Sequence, residues 1–213
     1  MARLTQVSLA FLCSAIRLCR MLPVFTPRLV LRRFNEQDLT AFHAYRNDTN
    51  LARFQSWEAF NLTEAAAFIR EHQVREVGVR GQWLQIAIAL RETDALIGDC
   101  AFKLHDDDIR QATIGGTLAR KYHRQGYAVE AMTGLLNQLF EKLNLHRIVA
   151  DADPENTASW KLLERLGLRR EGHLKQSLWF KGRWADEYLY AVLRDEWFAR
   201  GLLSQGSTTN RVV

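Results

Sequence analysis

The chain has 213 residues, 47% hydrophobic, 25% charged and 10% aromatic, the balance of one generous soluble domain. At that length roughly 70% of the unfolded surface is buried on folding, so neither disulfides nor a metal is required. The aromatic content, with 12 Gly and 3 Pro, excludes disorder, collagen-like repeats and coiled coil. A formal net charge of +5 favours an anionic partner, a phosphorylated small molecule or RNA.

The first twenty residues stand apart. Residues 7–16 form an apolar run with Arg3 before it and Arg17 and Arg20 behind. The run is too short to span a bilayer. A signal peptide would show a small-x-small cleavage site where these basic residues stand. The preferred reading of residues 1–21 is an extension from an upstream start, with Met21 the initiator; an amphipathic accessory helix and a targeting segment are the alternatives. The domain is expected over residues 22–200, with a tail over 201–213. Cys13, Cys19 and Cys100 make an odd count without CxxC or HxxxH companions. That pattern fits a reducing cytoplasm and argues against a disulfide framework or a zinc site.

From there strands and helices alternate. Residues 29–33 read as a short strand, and Asn35 with Asp38 as an N-cap and its partner ahead of Leu39, Phe42 and Tyr45 at helical spacing. A second helix is predicted from about Thr63 through Phe68 and Ile69 to Val77. Residues 83–90 and 96–104 read as strands around a turn at 92–94, and 106–108 as a hairpin into a fourth strand, 111–118. From Ala128, the residues Met132, Leu135, Leu136, Leu139, Phe140 and Leu143 fall on one helical face that ends at Asn144. A fifth strand follows at 147–151. Pro154 to Asn156 turn into a helix carrying Leu162, Leu163 and Leu166, closed by Gly167. Residues 168–178 and 183–193 make a last β pair joined through Lys181-Gly182. The fold class is a mixed α/β sheet with helices packed on it.

Cations and one glycine gather where the fourth strand meets the long helix, in Leu118-Ala-Arg-Lys-Tyr-His-Arg-Gln-Gly-Tyr-Ala-Val-Glu130. The first amides of a helix lack intrahelical partners and carry the positive end of the helix dipole, so such an end attracts anions. Gly126 lets backbone approach a phosphate without a Cβ in the way. No Gly-Lys-Ser/Thr triplet exists, so this is not a nucleotide P-loop.

In this order of elements, His123-Arg-Gln-Gly126-Tyr-Ala128, Asp153-Pro-Glu-Asn156-Thr-Ala-Ser159, Leu162-Leu-Glu-Arg-Leu-Gly167-Leu, Thr26-Pro-Arg-Leu-Val-Leu-Arg and Leu96-Ile-Gly-Asp99 resemble the Gcn5-related N-acetyltransferase (GNAT) superfamily. The likeness is strongest to its ribosomal-protein N-terminal acetyltransferase branch and covers residues 22 to about 198. It implies the acyl-CoA N-acyltransferase fold, a sheet splayed between its fourth and fifth strands with acetyl-CoA in the V. It implies acetyl transfer to a primary amine, the acceptor including a protein N-terminal residue, by direct attack in a ternary complex. The amides of Arg124, Gln125, Gly126, Tyr127 and Ala128 would cradle the pyrophosphate. Gly115-Gly116 would admit the pantetheine arm, and Leu118 would contact it. His123 stands where the family usually has Gln or Arg.

The resemblance also places catalytic roles. The generic superfamily acid is a Tyr at the slot that Leu163 fills here, whereas the closer branch has a Ser three residues after its Asn, which is Ser159. Asn156 would hold the pantetheine amide; as residues alone, both also suit an ordinary helix start. The branch's basic Glu is replaced by Thr113, which cannot accept a proton, so the base is unassigned; Glu130, Asp186 and Glu187 are the nearby carboxylates. Trp57, Phe60, Trp179, Phe180 and Trp184 are candidates for an aromatic acceptor wall, against the commoner role of Trp in a core. No metal, membrane or stable nucleic-acid partner is expected, and the chain is read as a cytoplasmic monomer or homodimer. The competing reading is a non-catalytic acyl-CoA-binding or RNA-contacting module on the same fold.

Overall fold

In the computed structural model, which describes residues 21–206, one mixed sheet carries the molecule. The readings of residues 1–20 and of the end of the tail lie outside the described residues. Eight strands run in the order β1-β2-β3-β4-β5-β6-β8-β7. They are β1 (Val24–Phe25), β2 (Leu29–Arg32), β3 (Leu84–Leu90), β4 (Leu96–Leu104), β5 (Gln111–Leu118), β6 (Arg147–Ala152), β7 (Arg169–Phe180) and β8 (Arg183–Leu193). The helices are α1 (Leu39–Arg46), α2 (Thr49–Ala52), α3 (Leu62–Val74), α4 (Tyr127–Lys142), α5 (Thr157–Leu166) and α6 (Arg194–Gly206).

Every neighbouring pair is antiparallel except β5 and β6, which α4 joins as a crossover and therefore sets parallel. That pairing covers only Gln111↔Arg147, Ala112↔Ile148 and Thr113↔Val149. Beyond it the carboxyl ends of both strands separate, so the sheet is splayed in its middle, as the resemblance implied.

Alternation sorts side chains between two faces. Ile86, Cys100, Phe102, Ala112, Ile114, Ile148 and Ala150 share one core with Leu135, Leu136, Leu139 and Phe140 of α4 and Leu163 and Leu166 of α5. The other face is covered over β3 and β4 by α1 and α3, where Phe42 stacks on Phe68 at 5.0 Å and Phe34 meets Phe42 edge-on. Asn61 and Glu64 reciprocally cap α3, which begins at Leu62 and stops at Val74, short of the predicted Val77. Gly167, in the left-handed region at φ 84°, ends α5 as expected.

Beneath α1 lies a charge pair that water barely reaches. Arg46 and Asp99 are each 1% exposed and bonded at 2.9 Å, and Tyr45 donates its hydroxyl to the same carboxylate oxygen. Burial, with Asp99 beside it, pushes the Tyr45 phenol well above its usual value, so it remains a donor. Trp57 lies over the guanidinium at 3.7 Å from its ring centroid. Removing one member of a buried pair strands the other charge, at a cost of about 3–5 kcal/mol. Asp99→Ala should therefore lower the melting temperature by on the order of 10 °C, read by circular dichroism; a melt unchanged within 2 °C or so would show Arg46 reaching water.

Candidate active site

Both separated strand ends lead into helix N-termini, where ligands sit in open α/β sheets. β5 runs through 119–126 into α4; β6 runs through 153–156 into α5. Because Ala119 N–H bonds Ile97 O on β4, and strand amides alternate in direction, Gly116 and Leu118 turn their backbone polar groups into the opening. An extended arm with amides of its own matches that edge.

At the head of α4, Arg124 and Gly126 both have positive φ, 60° and 83°. Gly126 is the N-cap and offers no side-chain cap, so the first-turn amides are left for another acceptor. The loop is braced from outside: Gln125 Nε2 donates to Lys121 O at 2.8 Å, and Arg28 donates to Gln125 O at 3.0 Å. Arg28 also lies over the Tyr127 ring at 4.4 Å, and its side chain would meet a Cβ built on Gly126 at 3.3 Å. Arg28 is thus a cation beside the cradle that the loop sequence alone did not reveal, since it is about a hundred residues away. The residues fit an anionic pyrophosphate ligand.

The sequence-derived candidates separate on inspection. His123 Nε2 pairs with Leu118 O at 2.7 Å, so the contact expected from Leu118 to the arm falls to its amide rather than its carbonyl. Asn156 caps α5, its Oδ1 accepting from Ser159 N at 3.3 Å, which leaves its Nδ2 to donate. Ser159 is half-buried in that first turn, and no described residue engages its hydroxyl. Leu163, at the generic acid slot, is 5% exposed and packed in the core.

The carboxylates divide as clearly. Glu130 accepts from Thr26 Oγ1, from Arg28 N and from Arg28 Nε. Burial works against its charged form, but those hydrogen bonds win and hold Glu130 below the usual carboxylate range. It ties the strand-entry turn to α4 and is no base. Asp186 takes His173, Lys175 and the Gln176 amide, contacts that hold it down to about 2. Glu187 accepts from Ser177 at 2.8 Å on the opposite face of β8. Thr113 pairs with His105 Nε2 at 3.0 Å. His72 is pushed down to about 4 by burial, helped by Arg75, and its Nδ1 accepts from Gln85 N, so it is neutral at pH 7 and engaged. Burial pushes the Cys100 thiol up, leaving it a poor nucleophile.

The aromatic wall is partial. Phe60 belongs to the α1–α3 cluster, while Trp179 and Trp184 pair edge-on at 5.4 Å and are mostly exposed. Trp57, with His72, Gln85, Asp99, Gly115 and Thr117, lines a cleft of about 370 Å³ on the face away from α4. Lys181 at the β7–β8 tip reaches the carbonyls of Ala52 and Trp57 at 2.8 and 2.9 Å. Arg53 and Arg183 meet at Glu155, and Arg183 also holds Asp153, so charges bridge the mouth.

A splayed mixed sheet with an uncapped helix start after β5 matches the acyl-CoA N-acyltransferase fold. A family profile described as "Acetyltransferase (GNAT) domain" matches residues 28–169, and the chain belongs to that family. The uncharacterized N-acetyltransferase YnaD of Bacillus subtilis is 33% identical over 174 residues, 82% of this chain and 98% of YnaD. The [Ribosomal protein uS5]-alanine N-acetyltransferase of Escherichia coli is 33% identical over 84 residues, 39% of this chain and 43% of that enzyme. A GNAT-family acetyltransferase structure from Bacillus anthracis superposes with a TM-score of 0.73 at 30% identity, covering 82% of this chain and all of the other. Mycobacterium smegmatis RimJ, solved with CoA-disulfide, gives 0.69 at 26% identity, over 84% and 89% of the two chains. Family membership and the likenesses that span 82–84% of the chain make this an acetyltransferase enzyme and set aside the non-catalytic module.

Gly126→Pro should abolish acetyl-CoA binding measured by titration calorimetry, because Pro removes an amide and forbids φ 83°. Gly126→Asn, which tolerates the left-handed region, should retain much of it. Wild-type affinity in the Pro variant would remove the pyrophosphate from this loop.

Proposed function

We propose that the protein transfers the acetyl group of acetyl-CoA to the α-amine at a peptide or protein N-terminus, by direct attack in a ternary complex. The observation that carries this reading is the pair of unzipped strand ends opening onto an uncapped helix start. Acetyl-CoA supplies an activated acetyl thioester; the protein supplies alignment, proton traffic and exclusion of water. The amides at 124–128 hold its pyrophosphate, the Leu118 and Gly116 edge takes its pantetheine arm, and Asn156 Nδ2 donates to an arm carbonyl.

With α4 and α5 covering one face, the amine enters from the other, along the cleft beside Trp57 and Gly115. Attack forms the C–N bond and breaks the C–S bond, and the departing thiolate needs a proton that nitrogen must lose. The Ser159 hydroxyl, one turn into α5, donates to sulfur and is replenished from the nitrogen. The relative that acetylates uS5 alanine supports an N-terminal residue as acceptor.

The test is Ser159→Ala with short peptides bearing free N-termini. Loss of one donor to developing charge costs about 10²–10³ in kcat, with acetyl-CoA affinity nearly unchanged. Wild-type kcat in that variant would make Ser159 a helix residue only.

A further inference from the structure

The base left open by Thr113 is answered by the faces of β6 and β8. On β6, Ile148, Ala150 and Ala152 are buried in the core beneath α4 and α5, so Val149 and Asp151 point the other way. Thr113 and Gly115 of β5 share that outward face, since Ala112 and Ile114 share the core. Thr113↔Val149 is the last rung joining β5 and β6, and Asp151 comes two residues later, where the strands have parted. Opposite Asp151 on β8 stands Leu189; Glu187, two residues along, is its diagonal neighbour on the same face. Asp151 therefore stands at the fork of the sheet, on the side from which the amine enters.

Its chemical surroundings set it apart from the carboxylates nearby. Asp153 and Glu155 are taken by Arg183 and Arg53, Glu171 by Arg147 and Arg169, Asp186 by Lys175 and His173. No arginine or lysine among the described residues forms an ion pair with Asp151. Its side chain is exposed, so a substrate reaches it, while the strands around it still crowd its carboxyl. That crowding, and then the Glu187 charge, push its carboxyl above the ordinary range, while Lys103 of β4 pulls more weakly the other way. Two adjacent carboxylates whose surroundings push one of them up are the usual setting of an acid–base group.

We propose that Asp151, flanked by Glu187, receives the acceptor ammonium at the fork of β5 and β6 and takes its proton before attack. This rests on the acetyl-transfer reading above. The proton passes from the ammonium to the Asp151 carboxylate, giving a neutral amine and a carboxylic acid. The amine attacks the thioester carbonyl, its second proton goes through Ser159 to the thiolate, and Asp151 returns its own to solvent. The arrangement also selects the amine. An α-ammonium near 8 lies about four units above an ordinary Asp, whereas a lysine-like ammonium near 10.4 lies more than six above. A carboxylate base therefore deprotonates an α-ammonium at far less cost than a lysine-like one, which favours α-amines as acceptors.

The experiment measures kcat/KM against pH for the full chain with acetyl-CoA and a panel of short peptides with free Ala or Ser N-termini, beside a free polyamine. The titratable groups facing Asp151 are Glu187, Lys103 and the His105–Thr113 pair, with Ser177 bonded to Glu187. Asp151→Asn should cut kcat/KM for peptides about 100-fold or more near pH 7 with acetyl-CoA affinity within threefold or so. The deficit should shrink above about pH 8, where the α-amine is already neutral. Glu187→Gln removes a like charge, eases ionisation of Asp151 and should move the ascending limb to lower pH. An Asp151→Asn profile that matches wild type, or a deficit equal at every pH, overturns the base assignment while acetyl transfer stands. Wild-type chain that binds acetyl-CoA yet acetylates nothing in the panel overturns the acceptor reading, and Asp151's role with it.

Discussion

β5 and β6 are held together by three residue pairs and then diverge, and the rest of the molecule is arranged around that divergence. A sheet that paired fully along both strands would have no free edge in its middle and no room for an extended ligand. Keeping the strands apart needs their outer neighbours to hold position, which β4 does for β5 along Gly98↔Leu118 to Leu104↔Ala112, and β8 for β6 along Arg147↔Leu193 to Ala152↔Tyr188. The packing of α4 and α5 beneath closes one side of the fork. The result is a fork that stays open on the face of Thr113, Val149 and Asp151.

Charge is distributed to match. At the end where strands become helices, unpaired amides, Arg28 and the basic loop favour phosphates. On the opposite face carboxylates gather at β6 and β8, suited to an ammonium. Glu130, which by composition alone looks like a base in the wrong place, is instead a bracket that joins Thr26 and Arg28 to the cradle. The buried Arg46–Asp99 pair steadies α1 against β4 beneath Trp57, an aromatic that lines the cleft on that face.

The main elements were legible because their periods are strong: β4, β5 and β8 occupy the very residues that alternation and turn residues indicated, and α4 begins one residue before Ala128. Missed were β1, α2 and α6. Two and four residues are too few to show a period, whereas α6 had a signal, Asp195 and Glu196 in its first turn ahead of Trp197 and Phe198, which pack on Phe140. The phosphate loop was readable because its residues are contiguous. Arg28 and the Asp151–Glu187 pair were not, because each depends on which residues fall side by side once strands pair. Asp186 and Glu187 are neighbours in sequence, and only the strand's alternation shows that they serve opposite faces.

Few rungs join the two halves of the sheet directly, and across its mouth reach Lys181 to Ala52 and Trp57 and the chain Arg53–Glu155–Arg183–Asp153. All lie at the surface, where salt weakens ion pairs over about 8–10 Å at ordinary ionic strength. The apolar core beneath, shared by both halves with α4 and α5, has no such dependence on ions. The surrounding electrolyte therefore has a hand on the bridges across the mouth that it does not have on the fold.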